Sequence, residues 1–594
     1  MSTNASDFDL STVDMMYAVS QWNLNEGLAD YITGLGGKAT ISWAFDYNSN
    51  NQPVPPVNPA EPDYSFTGTI TVPAPAGGGP QPWILDLSQA GTNNQVMFTL
   101  AFENATFTNN MYRTPKVYAT NPPAPAPAAP AQPVAQWQIP YMVQLQMVPP
   151  PATATLPAAV SKAVTPLQET YGDVFDLNQI LVDLTTVLPT TNTTLATAYG
   201  FDLADWFSLV QCMGVYLAAN AETIFPAPLS AAYTNVHNGS APKTPLPTFT
   251  PTAATFVVAP NTNSPEYSAL IIPMMVGGDP MPANVDLLFG NVALFSDMNT
   301  PGIAMINGAK FTPFLTGELA SSNLLTNVSV QLVPAFTNSS YTWSTNSVAP
   351  SPGSFTDINP PVVLSAPLSQ YQPAASCPAL LSWSMAPSST SATNNDSDLM
   401  TPEINATTKS YLWAAYGQSQ STLTYYDQLV LAGTLVFDIS YSQNLSPLGE
   451  CASIAASLLA GPLIAFLFSE GSWNSPDLVV NWNCVIDLED VNDSGAGGGG
   501  VKFVVNQSGS SFPGTATAEG SGSSGFLASA PSNYASMLSA TTTALEKEIS
   551  SGLIATVGNL GCFVFPGGQT FTFQDPLINS FFHLFATIGY QNPA

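Results

Sequence analysis

Positive charge is the scarcest commodity in this chain. Only nine of its 594 residues are Lys or Arg, and Arg113 is the single arginine. Neutralising a nucleic-acid backbone takes clustered cations, so no nucleic-acid partner is expected. Electrostatic docking onto an anionic membrane is disfavoured for the same reason, since no polybasic segment exists. Histidine is scarcer still. His237 and His583 are the whole supply of side chains that ordinarily titrate near neutral pH. His237 lies in an Asn-Gly-Ser loop, whereas His583 sits in an apolar run and reads as a satisfied core residue. There is no HExxH or HxE motif and no Cys/His cluster for zinc. No GxSxG nucleophile elbow occurs. The glycine runs Gly77–Gly79 and Gly497–Gly500 lack the GK[ST] ending of a phosphate loop. The acidic stretch Asp487–Asp493 lacks the Asp-x-Asp-x-Asp-Gly order of a calcium loop. The expectation is therefore no catalytic residue, no metal, no cofactor and no enzyme.

Cysteine is sparse as well. Cys212, Cys377, Cys451, Cys484 and Cys562 are odd in number, widely scattered and without CxxC spacing, which points to buried free thiols rather than a disulfide framework. Met1–Asn25 has neither a basic n-region nor a continuous apolar h-region. Synthesis in a cytoplasm without a signal peptide is expected, with extracellular release by lysis or an unconventional route. The run Ile454–Phe468 imitates a membrane span, but Gly461 and Pro462 interrupt it and no Lys or Arg flanks it, so a buried helix is expected there and no transmembrane segment.

What is present is apolar and neutral-polar. Hydrophobic residues make up 45% of the chain and charged ones only 8%, about a third of the usual share, so Asn, Thr, Ser, Ala and Pro must form most of the surface. Acids outnumber bases 39 to 9, for a formal net charge of -30, which favours solubility and opposes nonspecific association. At this length a single core is improbable and the chain should divide into modules.

Strand signals dominate. Gln428–Ser442 alternates, with Leu429, Leu431, Leu435, Phe437, Ile439 and Tyr441 on one face, and spans roughly 45 Å at about 3.3 Å per residue. Further strands are expected near Thr40–Asp46, Ser65–Val72, Val96–Phe102, Gln138–Met147, Val328–Val333 and Val501–Val505. Helix signals cluster in pairs: Leu167–Val187 after Thr165-Pro166, with Asp202–Thr223, and later Leu448–Phe468 with Asn533–Ile554. The proline-rich stretch Asn121–Pro133 reads as an extended loop. Ser388–Asn405 and Asp493–Gly525, rich in small polar residues and glycine, read as hairpin tips. At the C-terminal end, Phe563 and Phe565 precede a Pro566-Gly567-Gly568 turn. Phe571 and Phe573 then alternate with threonines, and an apolar run follows from Pro576 to Phe585 that is helix or strand.

These pieces occur in a telling order. Thr12–Gly37, the strand about Trp43-Ala44-Phe45, Trp83-Ile84-Leu85, Val96–Phe102 and the closing Phe565-Pro566-Gly567-Gly568-Gln569-Thr570-Phe571-Thr572-Phe573 cover about a fifth of the chain. Together they resemble the OrfX-like accessory proteins of the TULIP (tubular lipid-binding) superfamily encoded beside clostridial neurotoxins. The resemblance implies a β-rich α+β fold of elongated modules, long curved antiparallel sheets wrapped around long helices. An N-terminal module of residues 1–250, carrying the proline-rich loop 121–133, and a C-terminal module of residues 251–594, carrying the glycine/serine-rich loop near 493–525, are expected. It also implies a non-enzymatic accessory component of a bacterial toxin or insecticidal system, a virulence role, and other proteins of the same gene cluster as partners. A lipid or an apolar partner segment would lie in a groove. The residues named for that groove are Leu429, Leu431, Leu435, Phe437 and Ile439 from the long strand, with Leu458, Leu459 and Ile464 from the apolar helix. The alternative is an acidic, β-rich structural or adhesive coat protein that self-assembles through sheet edges or apolar patches.

Overall fold

A computed structural model describes residues 8–35, 40–75, 82–91, 94–120, 134–149, 175–190, 192–220, 229–235, 249–289, 293–298, 300–321, 329–337, 340–347, 355–363, 378–393, 400–420, 425–445, 471–474, 478–491, 500–506, 510, 517–518 and 570–591. Antiparallel strands dominate these residues. They form three large sheets and the separate hairpin Val330–Thr337/Ser340–Ser347. Five helices accompany them: α1 (Gln21–Leu35), α2 (Thr193–Ala198), α3 (Leu203–Ala219), α4 (Val285–Phe289) and α5 (Gly308–Ser321).

The N-terminal sheet runs in the spatial order 230–235, 175–189, 136–148, 95–109, 64–71, 40–47, 53–54. Its inner face follows directly from period-2 alternation. Along Gln136–Val148, the residues Trp137, Ile139, Tyr141, Val143 and Leu145 are buried, while Gln138, Met142 and Gln144 between them stay partly exposed. The neighbouring strand Gln95–Asn109 is too long to keep one parity. Val96, Phe98, Leu100 and Phe102 face inward, and a bulge then lets Ala105 and Phe107 do so. Asn104 sits at that bulge with φ 49°, where the pairing steps from Thr69↔Glu103 to Thr67↔Thr106.

The C-terminal sheet runs 355–363, 378–384, 400–417, 428–445, 478–491, 500–505. Its centre is an 18-residue ladder between Met400–Gly417 and Gln428–Leu445, in register from Met400↔Leu445 to Gly417↔Gln428. The central sheet runs 251–254, 269–276, 15–20, 302–306, 584–591, 570–578. Strand Met15–Ser20 is buried throughout, and so are its two neighbours. Its side chains divide between two cores. Met15, Tyr17 and Val19 join the large core shared with both other sheets, while Met16 and Ala18 join a smaller one with Ile271, Phe289, Ile303 and Phe585.

The strands expected from alternation are observed wherever they fall on described residues, the short strand about Phe563 and Phe565 lying outside them, and the C-terminal run resolves into strands Thr570–Ile578 and Leu584–Gln591. One helix expectation is overturned. Residues 175–189, placed in a helix at 167–187, form a strand. Ile180, Val182 and Leu184 are buried in alternation, so period 2 governs this segment despite its Thr-Pro start. The second helix of that pair is α3. The two later helix candidates at 448–468 and 533–554 lie outside the described residues, as do loop 121–133 and most of 493–525; the described helices run to at most 17 residues. Among the described residues no helix is long and apolar enough to cross a membrane.

Two glycines test this packing in opposite directions. A Cβ on Gly302 would lie 2.6 Å from the Ala18 carbonyl oxygen, whereas one on Gly317 in α5 meets nothing within 4 Å. Gly302→Ala should lower stability by about 1–3 kcal/mol through overpacking. Gly317→Ala should raise it by about 0.4–1 kcal/mol. Urea midpoints of the two variants measure both.

Candidate functional site

The long ladder brings four of the eight groove candidates onto one face. Leu429, Leu431, Leu435 and Phe437 are all buried and belong to the large core. Leu429 pairs with Tyr416 and Ile486, and Leu431 with Ala414 and Cys484. The opposite face is covered too, since Ala432, Thr434 and Val436 are also buried. Ile439 lies in the same strand, but its side chain is outside the described residues, as are Leu458, Leu459 and Ile464 altogether. Tyr416 anchors the inner end of this face. Its hydroxyl lies 3.2 Å from Thr312 Oγ1 of α5, and its ring stacks on Tyr426 and Phe582.

The same large core continues under the N-terminal sheet, where α3 packs. Tyr141 donates to the Val210 carbonyl at 3.2 Å, and the Tyr47 hydroxyl donates to Gln211 Oε1 at 3.2 Å. Strands from across the sheet thus reach one helix. A chain of rings fills the space between: Trp43 with Phe107 at 6.2 Å, Phe107 with Phe201 at 6.0 Å, and Phe201 with Trp137 at 5.0 Å and Trp206 at 5.5 Å. Tyr118 stacks on Phe201 at 4.1 Å. The aromatic quadrupole favours such tilted, edge and offset pairs.

One buried acid fixes the helix in this interior. Asp205 is 1% exposed, takes 2.6 Å hydrogen bonds from Asn109 Nδ2 and from the Tyr118 hydroxyl, and lies 3.6 Å from Lys116 Nζ. Burial and the adjacent Asp205 push the Tyr118 phenol well above its usual range. The sequence reading missed this cluster. Its available signal was two acids, Asp202 and Asp205, opening an otherwise apolar helix, where the helix dipole favours negative charge. Cys212 of α3 is a buried thiol whose pKa burial pushes up to about 12.

The most unusual chemistry in these interiors is a set of donors with nothing to donate to. Among the described residues, the buried indole N–H groups of Trp43, Trp137, Trp206, Trp383 and Trp413 have no hydrogen-bond partner. Trp43, Trp137 and Trp206 belong to the ring chain under the N-terminal sheet. Trp383 and Trp413 lie on the C-terminal sheet. Each such orphan costs about 1–3 kcal/mol. Near the central sheet a cavity of about 10 Å³, lined by Tyr17, Ile306, Phe573 and Leu584 among others, has room for about one water. Among the described residues no group of three or more His, Cys, Asp or Glu converges as a metal site.

Two measurements probe this interior. Asp205→Ala leaves the Asn109 amide and the Tyr118 hydroxyl without their acceptor and should cost about 3 kcal/mol. Tyr118→Phe, which removes one donor and keeps the ring, should cost about 1 kcal/mol; denaturant titration separates the two. In the native state Cys212 should resist a thiol reagent at pH 8 and react on unfolding, as read by mass spectrometry of the Cys212 peptide.

No family model matches the chain, and no curated protein matches it. Among solved structures, the crystal structure of P47 of Clostridium botulinum E1 aligns with 98% of this chain and 99% of its own at 9% identity and a TM-score of 0.39. The crystal structure of a lipopolysaccharide binding protein aligns over 98% and 99% at 10% identity and a TM-score of 0.29. At these scores neither likeness carries an argument, and the functional reading rests on this chain's own residues.

Proposed function

We propose that this chain is a non-catalytic binding protein that accommodates the acyl portion of an uncharged or zwitterionic lipid between its sheets and helices. The observation that carries the reading is the set of orphan indole N–H groups in the large core, those of Trp43, Trp137 and Trp206 in the ring cluster and that of Trp383 on the C-terminal sheet. Buried donors in native proteins almost always have acceptors, so an absent acceptor asks for an explanation. Ester carbonyl oxygens supply acceptors in an otherwise apolar molecule. Each acyl methylene moved from water into such an interior contributes about 0.8 kcal/mol. With nine basic residues against 39 acids, a strongly anionic headgroup would find little to pair with.

On this reading the long curved sheets wrap helices in the manner of tubular lipid-binding modules, divided near residue 250. Leu429, Leu431, Leu435, Phe437 and Ile439, with Leu458, Leu459 and Ile464, then line the C-terminal groove. The accessory role in a bacterial toxin system implied by the sequence resemblance fits a protein that shelters or presents an apolar group and performs no bond chemistry. Its partners would be neighbours from the same gene cluster, met after release from the producing cell.

Native mass spectrometry after incubation with phosphatidylcholine vesicles, followed by organic extraction, tests the proposal. Retained phosphatidylcholine at one or two molecules per chain is the expected result. Trp137→Phe, which removes one orphan donor and keeps an aromatic ring, should weaken retention several-fold while changing stability by less than about 1.5 kcal/mol. A lipid-free chain, or retention indifferent to the tryptophans, would sink the reading. Large regular assemblies would favour a self-assembling coat instead.

A further inference from the structure

The base of α5 is where three distant parts of the chain meet, and a histidine stands between them. His583 is 3% exposed. Its Nδ1 accepts from the backbone N–H of Gly308, the first residue of α5, at 2.8 Å. Its Nε2 lies 3.1 Å from Asp9 Oδ1 and 3.0 Å from the Leu10 backbone nitrogen. With the proton on Nε2 the ring donates to Asp9 and Nδ1 accepts from Gly308, while the Leu10 N–H, which points at the same Nε2, loses its acceptor. A second proton would sit on Nδ1, facing the Gly308 N–H donor, and would set a positive charge at the positive end of α5.

The turn that carries the ring is held in a tense conformation. Phe582 has φ 64°, a region that bulky residues rarely adopt. Asn579 holds the turn by accepting from the His583 and Phe581 nitrogens at 3.0 Å, and its Nδ2 donates to the Phe8 carbonyl at 2.8 Å. Gly308 packs so closely that a Cβ there would lie 2.6 Å from the Phe582 oxygen. The segment held by this turn covers an apolar surface, with Leu10 buried and the Phe8 ring 5.8 Å from that of Phe289 in α4.

We infer that His583 is a proton-operated latch: protonation of its ring releases residues 8–10 from the 579–583 turn and from the start of α5, and so uncovers the apolar surface around Phe289. Among the described residues the charged groups about it are few. Asp9 faces the ring. Asp14, at the start of the strand after the held segment, pairs with Lys310 of α5 at 3.6 Å, and Lys310 also pairs with Asp279 at 2.8 Å. Asp286 of α4 is solvent-exposed. Burial lowers the ring's pKa and the Asp9 carboxylate acts the other way, with burial the larger effect. A histidine whose folded pKa lies below its ordinary value of about 6.5 stabilises the latch fully above that pH. Its contribution falls as the pH drops from there toward the folded pKa. Asp14, which burial raises above its usual value, has the opposite slope, confined to more acid conditions.

The chain has two histidines, so the ring resonances of His237 and His583 can be followed directly in the intact protein, with His237→Asn giving the assignment. The expected result is a His583 midpoint below about 6.5. Amide exchange at residues 8–10 and 308, corrected for its intrinsic pH dependence, should rise by about tenfold per pH unit across that window. Asp9→Asn should move the midpoint lower. His583→Gln should abolish the pH-dependent exchange, and should it fail to fold, the wild-type titration still decides. A ring that titrates while residues 8–10 keep their protection overturns the latch, and so does loosening whose midpoint differs from that of the ring.

Discussion

The burial of strand Met15–Ser20 is the constraint on which the rest of the structure depends. It lies between 269–276 and 302–306, and the latter pairs in turn with 584–591. None of these partners is near it in sequence: Met15 pairs with Met274 and Ile306. A strand this apolar cannot rest half-made, because its backbone groups would be buried without partners. The sheet therefore closes only after hundreds of residues have been made and folded. Its two faces feed two cores, so losing this strand would expose both. High contact order of this kind makes for slow folding through states with unpaired edges, which gives the large acidic surplus a physical purpose in keeping such states apart.

The periodic part of this architecture was legible in the sequence. Alternation located the strands at 40–47, 64–71, 136–148 and 428–445, because each has one face that must be dry. The error at 175–189 shows where local signals compete. A proline opening and scattered acids suggested a helix, while the spacing of Ile180, Val182 and Leu184 already encoded the strand. The sheet order was not legible, since pairing 15–20 with 302–306 is decided by packing between segments and leaves no local mark. The candidate site was half legible for the same reason. Period 2 put Leu429, Leu431, Leu435 and Phe437 on one face, but it could not say that Asp205, Asn109 and Tyr118 would meet from three separate elements.

The scarcity of charge also explains how the junctions are made. Where many proteins would use ion pairs, this one uses asparagine amides, which donate and accept at once. Asn25 accepts from the Ile84 and Leu85 nitrogens and donates to the Gln21 and Leu85 carbonyls, tying α1 to the strand at 85–86. Asn307 donates to the Ser11 and Val13 carbonyls and accepts from the Ala309 nitrogen, joining the segment before Met15 to the start of α5. Asn579 does the same for the turn before the last strand. A buried amide needs no counter-ion and carries a smaller desolvation cost than a carboxylate or ammonium.

Amide junctions have a further consequence for how the molecule can respond to its surroundings. They do not titrate, and they are barely screened by salt, so neither acid nor ionic strength should loosen them before the sheets themselves fail. Sensitivity to pH is then concentrated in the few ionisable groups that are buried at junctions. Asp205 is enclosed by Asn109 and Tyr118 under the N-terminal sheet, far in sequence from His583. Asp14 and His583 lie where residues 8–14, the start of α5 and the last turn converge, beside the strand that closes the central sheet. Of these, only the imidazole ordinarily changes charge near neutrality. Among the described residues, the response to mild acid therefore falls to the His583 ring, placed where residues 9–10 and the start of α5 meet.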